Sequence, residues 1–128
     1  MKKDNRILVV CDDEAACGAY MESLVTNFRN VEFVATGEEA LQAVDGRGFD
    51  LVLLDDQAPG AALLRSIKQT TPDSEVVVIT GQPNIAGAKE AVRLGAYDYV
   101  GKPVGPDKMI SLSSGALTHK SWALHERH

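Results

Sequence analysis

No long hydrophobic run interrupts this sequence. None of its apolar stretches approaches the ~20 residues that a membrane-spanning helix needs, and Met1-Lys2-Lys3-Asp4 leads into a strand rather than into a signal-peptide core. The chain is therefore expected in the cytoplasm, away from any membrane. Positive charge is also scarce: 13 Lys and Arg against 18 Asp and Glu leave a net charge of -5. Direct nucleic-acid binding, which draws on clustered basic residues, is not expected. Cysteine appears only at Cys11 and Cys17, with no CxxC and no nearby His, so both read as reduced thiols rather than as a disulfide or metal ligands. Repeats and internal linkers are missing too. What remains is 128 residues with the composition of one ordinary globular domain, long enough to bury a core.

The apolar runs that are present are short, rich in Val, Ile and Leu, and not alternating, as expected of strands buried on both faces. Ile7–Val10, Val31–Ala35, Leu51–Leu54, Val76–Ile79 and Tyr97–Val100 read as five such strands. Helical patterns lie between them. Cys17, Tyr20, Met21, Leu24, Val25 and Phe28 share one helix face, with Asp13 as its cap and Glu14 in its first turn. Thr36 and Glu39 form a capping box for a helix burying Leu41 and Val44 and ended by Gly46 or Gly48. A third helix carries Leu63, Leu64 and Ile67 and stops at Thr70-Thr71-Pro72. A fourth turns Ala88, Ala91 and Val92 inward and closes at Gly95. The last starts at Pro106, uses Met109, Ile110, Leu112 and Leu117, and is weakened by Ser113-Ser114-Gly115. Strands alternating with helices argue a doubly wound α/β fold with a parallel sheet. Residues 1–118 are expected to form the domain, and 119–128 a polar tail that continues the last helix or frays.

Chemistry concentrates at the strand ends. The first run leads to Asp12, the third to Asp55, the fourth to Thr80, and the fifth stops just before Lys102-Pro103. Open α/β sheets bind ligands along that carboxyl edge. If the runs are neighbours, two carboxylates, a hydroxyl and an ammonium converge. Two carboxylates about 4 Å apart repel by about 4 kcal/mol at an effective dielectric near 20. A bound cation relieves that repulsion, and hard oxygen ligands with room for waters suit Mg²⁺. A carboxylate nucleophile, a metal, an ammonium and a hydroxyl donor together make a phosphoryl site.

ILVVCDDEA, FDLVLLDDQAPG, VVVITG and LGAYDYVGKP, in this order and at these separations, resemble the receiver domain of two-component response regulators from about residue 6 to residue 112. The wording from the TG to the GKP is most similar to receivers attached to σ54-dependent activators. The resemblance implies a (βα)5 flavodoxin-like fold with strand order 2-1-3-4-5. It implies that Asp55 accepts a phosphoryl group from a histidine kinase or phosphotransfer protein. Asp12 and Asp55 would bind Mg²⁺ through their side chains, and Gln57 through its backbone carbonyl. Thr80 and Lys102 would contact the phosphoryl group, Tyr99 would follow Thr80 as the switch, and the bond before Pro103 would be cis. Such a domain is not an enzyme beyond its own phosphoryl transfer and dephosphorylation.

Three features depart from that family. Cys11 stands where the first of two acids is usual, and a thiol is a poor Mg²⁺ partner, so Asp13 or Glu14 is left to substitute in part. The segment after Pro59 is about three residues short, which bears on access to the site. Ala58 stands where a methionine is customary. These departures motivate a second reading, a degenerate receiver that docks a partner without phosphorylation. A third, a phosphohydrolase of haloacid-dehalogenase type, lacks its second Asp, since that position is Gln57. The polar tail favours a piece cut from a longer regulator over a stand-alone receiver, with the output domain outside this chain and homodimerisation through the last two helices.

Overall fold

The computed structural model describes residues 2–56 and 60–126. Five strands and five helices alternate among them: β1 Lys3–Val10, α1 Glu14–Asn27, β2 Phe28–Val34, α2 Gly37–Val44, β3 Leu51–Asp56, α3 Gly60–Thr70, β4 Glu75–Thr80, α4 Ile85–Arg93, β5 Asp98–Gly101 and α5 Pro106–Glu126. The strands are parallel and ordered β2-β1-β3-β4-β5. This is the doubly wound topology the alternation predicts.

The non-alternating runs are explained by two core layers, one on each face of the sheet. Ile7, Val9, Leu51, Leu53, Val77 and Ile79 point to the face covered by α1 and α5, where Tyr20, Leu24, Met109 and Ala116 meet them. Leu8, Val10, Val52, Leu54, Val76 and Val78 point to the other, covered by Ala40 and Val44 of α2, Leu64 and Ile67 of α3, and Ala91 of α4. A strand buried on both faces has no polar position to alternate with.

The caps lie where the residue types place them. Asp13 accepts from the Ala15 N–H at 3.1 Å. Thr36 accepts from the Glu39 N–H at 3.1 Å, while the Glu39 carboxylate reaches back to the Ala35 N–H at 3.3 Å. After α4, Gly95 adopts φ +95°, its N–H donating to Val92 O at 3.0 Å and the Ala96 N–H to Ala91 O at 2.9 Å. That paired arrangement satisfies two orphan helix carbonyls and requires a positive φ, hence glycine.

Two local expectations are corrected. Phe28 is not the last residue of the α1 face but the first of β2, its N–H donating to Leu24 O. The helix runs into the strand without a loop, and the ring still enters the α1 layer of the core, so the apolar spacing continues past the helix end. Val92 is 70% exposed, not inward. Short α4 meets the core through Ala91, and a residue about 100° further round falls off so narrow a contact. The weak helix formers Ser113-Ser114-Gly115 lie inside α5, and the helix continues through the polar tail to Glu126, one of the two outcomes expected for it.

Candidate functional site

Register brings the site together. Val10 pairs with Leu54, so Cys11 and Asp55 stand level at the ends of adjacent strands, and both side chains lie on the α1 face of the sheet. Asp55 is buried there, its side chain only 1% exposed. Its Oδ1 lies 2.8 Å from Lys102 Nζ, an ammonium whose side chain is 22% exposed. Lys102 is anchored by its own N–H, which donates to Thr80 O at 2.8 Å, and its bond to Pro103 is cis. Thr80 pairs with Asp56 and is buried, its Oγ1 accepting from the Gln82 N–H at 3.1 Å. Asp12 is exposed on the turn after β1, while Asp13 is engaged as the α1 cap. Gln57, Ala58 and Pro59 lie outside the described residues.

The other oxygen of Asp55 has a partner that the apolar spacing did not reveal. Tyr20 Oη donates to Asp55 Oδ2 at 2.9 Å. The helical pattern identifies Tyr20 as a core residue, which it is, but says nothing about where its hydroxyl ends. Burial first, then the bond to Asp55 and the charge of that carboxylate, push the Tyr20 phenol well above its ordinary pKa. It therefore serves Asp55 as a neutral donor.

Cys11 and Cys17 are joined as a disulfide, which overturns the reading of two reduced thiols. The β1–α1 turn folds the first helical turns back over the strand end and brings the two Cα atoms to 5.8 Å, within the range a disulfide spans. Sequence separation alone carries no trace of that fold-back. The Cys11 sulfur lies 3.8 Å from Asp55 Oδ2.

Tyr99 pairs with Val78 and packs half-buried against the α4 side of the core. Its hydroxyl accepts from the Asn84 N–H at 3.4 Å, at the start of α4, and lies over Gly87. A Cβ on Gly87 would come within 2.5 Å of that oxygen, so this position needs glycine for space rather than for backbone freedom.

Among the described residues, no cluster of three or more His, Cys, Asp or Glu side chains could hold a metal ion. Among the described residues at this edge are the carboxylates of Asp12 and Asp55, and buried Asp55 Oδ1 makes no hydrogen bond of good geometry beside its ion pair. By chemistry these carboxylates are of the kind Mg²⁺ takes, one or two at a time with waters completing its shell.

Fold and site define a doubly wound α/β domain with a buried carboxylate–lysine pair at the sheet's carboxyl edge. The chain belongs to the response regulator receiver domain family, whose model matches residues 7–113. It is 34% identical over 117 residues to the transcriptional regulatory protein ZraR of Salmonella typhimurium, covering 88% of this chain and 26% of that protein. Regulatory protein LuxO of Vibrio cholerae is 33% identical over 114 residues, covering 86% of this chain and 25% of LuxO. A CheY-like receiver domain protein from Methanospirillum hungatei superposes with a TM-score of 0.87 at 26% identity, covering 94% of this chain and 99% of that one. The receiver domain of NtrX from Brucella abortus gives 0.79 at 34% identity, with 88% and 98% covered. The chain thus spans about a quarter of the length of these curated relatives. The family is one of signalling regulators rather than of classical enzymes. Among the described residues, no helix is long and apolar enough to cross a membrane.

Proposed function

We propose that this domain is a phosphoacceptor module of the cytoplasm, phosphorylated on Asp55 by a histidine kinase or phosphotransfer protein. A carboxylate oxygen of Asp55 attacks the phosphorus of a phosphohistidine, the P–N bond breaks, and an acyl phosphate forms on Asp55. The Lys102 ammonium and the Thr80 hydroxyl meet the transferred oxygens as their charge develops. The Asp12 and Asp55 side chains, with the Gln57 carbonyl that the family resemblance implies, would hold Mg²⁺, which would supply further charge neutralisation. Asp13 takes a lesser part because its Oδ1 caps α1. The switch runs through Thr80 to Tyr99 and the α4–β5–α5 surface, a two-state element biased by local charge. The observation that carries this reading is the buried Asp55 carboxylate with Lys102 Nζ at 2.8 Å. Incubation with Mg²⁺ and acetyl phosphate should add one phosphate by intact mass, and Asp55→Asn should abolish it. No adduct, or one that survives the substitution, sinks the proposal.

A degenerate receiver that binds a partner without phosphorylation is favoured by a specific observation: Asp55 Oδ2 already has the Tyr20 hydroxyl, and Cys11 stands in a disulfide beside it. Titration with Mg²⁺ and beryllofluoride by NMR separates the two readings. Clear shifts around Asp55, Thr80 and Lys102 argue for the phosphoacceptor. The relatives' names as transcriptional and regulatory proteins support a role in transcription regulation of the σ54-dependent type. Residues 1–118 would then be the receiver, with α5 continuing as a linker helix toward an output domain, and the last two helices available for homodimerisation.

A further inference from the structure

We propose that Cys11 and Cys17 are a reversible dithiol–disulfide couple that sets how readily Asp55 takes up Mg²⁺ and phosphate, with cellular thiols as the reductant. The proposal rests on the reading of Asp55 as phosphoacceptor. Reduction must let the two bonded sulfurs separate, and acceptors for their hydrogens lie close by. The Cys11 sulfur has Asp13 O at 3.5 Å and Asp55 Oδ2 at 3.8 Å, and the Cys17 sulfur has Cys11 O at 3.0 Å. Each sulfur thus has an acceptor ready for the hydrogen it would carry as a thiol. Cys11 is buried, but Cys17 is half-buried on α1, and the neighbouring Gly18 has no atom within 4 Å of where its Cβ would stand. Of the two sulfurs, that of half-buried Cys17 is the one assigned to attack by a reductant thiolate. The S–S bond breaks, Cys11 leaves as a thiolate and takes a proton, and a second reductant thiol attacks the mixed disulfide to free Cys17. Two electrons and two protons enter the pair, and the reductant leaves as its disulfide.

The two forms present Asp55 with different surroundings. Oxidised, the pair closes residues 11–17 into one loop, fixes the turn that carries Asp12, and places a sulfur without hydrogen beside Oδ2. Reduced, that turn is untethered and the Cys11 S–H donates toward Oδ2, withdrawing charge from the carboxylate that would hold a cation through Oδ1. Reduction should slow phosphorylation by about three- to tenfold, the scale of one modest hydrogen bond.

The test exposes the 128-residue chain to oxidised and reduced glutathione, traps thiols with N-ethylmaleimide, and measures intact mass and the acetyl phosphate rate. Supporting results are two adducts only after reduction, a rate that falls on reduction and recovers on reoxidation, and Cys17→Ser fixed at the slow rate under both conditions. Adducts on both thiols under oxidised glutathione would overturn the couple, as would rates within twofold of each other or faster on reduction. If neither form takes phosphate, the phosphoacceptor reading fails by itself. The couple is then judged by trapping and by Mg²⁺ titration of the Asp55 amide resonance, which should tighten on oxidation; equal titrations overturn it.

Discussion

The two flanks of Asp55 are built on opposite principles. On the β4–β5 side a full positive charge, Lys102, is held at 2.8 Å on a backbone that is itself bonded to Thr80. On the β1–α1 side no cation pairs with it among the described residues: a phenol donates at 2.9 Å, Asp13 faces its helix cap, and a disulfide occupies the strand end. One carboxylate is thus shared between a charged and a neutral partner. A second acid at the Cys11 position would add repulsion of about 4 kcal/mol at 4 Å and a dielectric near 20. Without that acid, Asp55 rests on protein donors alone and depends less on a cation for its stability.

The charged flank should carry the larger effect. Lys102→Ala leaves a buried carboxylate without its ion-pair partner and is expected to cost about 3 kcal/mol, the lower end for a buried pair because Lys102 is part-exposed. Urea unfolding measures this, and the same variant should slow phosphate uptake by about a hundredfold or more. Tyr20→Phe removes one neutral donor and should cost about 1–2 kcal/mol. If Tyr20→Phe proved as costly as Lys102→Ala, the contrast between the flanks would collapse.

pH sharpens the same contrast. Tyr20 holds its proton above its ordinary pKa of 10.0. Above that value the unfolded chain has lost a proton that the folded one keeps, so stability from Tyr20 is complete below about pH 10 and falls as pH rises further. Melting curves across the alkaline range should therefore decline more steeply for the parent than for Tyr20→Phe. Parallel declines would contradict the placement of the hydroxyl.

The smallest effect concerns the switch. Gly87→Ala gains about 1 kcal/mol of helix propensity but drives its Cβ against the Tyr99 hydroxyl. Net stability should change by less than about 1 kcal/mol, while the Tyr99 ring resonances move. Unmoved resonances would mean that the ring has room to spare over α4.

Much of this was legible because local chemistry and global fold agree. Runs such as Val76–Ile79 have one comfortable home, a strand buried on both faces, and Asp13, Thr36 and Gly95 are cap residues that cap. Asp55, Thr80 and Lys102 could be picked out because each ends or follows such a run. The rest depended on three-dimensional register. Periodicity locates the Tyr20 ring but not the end of its hydroxyl, and the disulfide exists only because the β1–α1 turn folds back. Val92 was misplaced because a short helix meets the core over less of its circumference than its apolar residues suggest.

The central claim, that Asp55 is the phosphoacceptor, is tested most directly by locating the phosphate chemically. The protein is incubated with Mg²⁺ and acetyl phosphate, reduced with borohydride, and digested for peptide mass spectrometry. An acyl phosphate on Asp55 is converted to homoserine, so homoserine at position 55 and nowhere else is the expected result. An unmodified Asp55, or a label on another residue, would contradict the account.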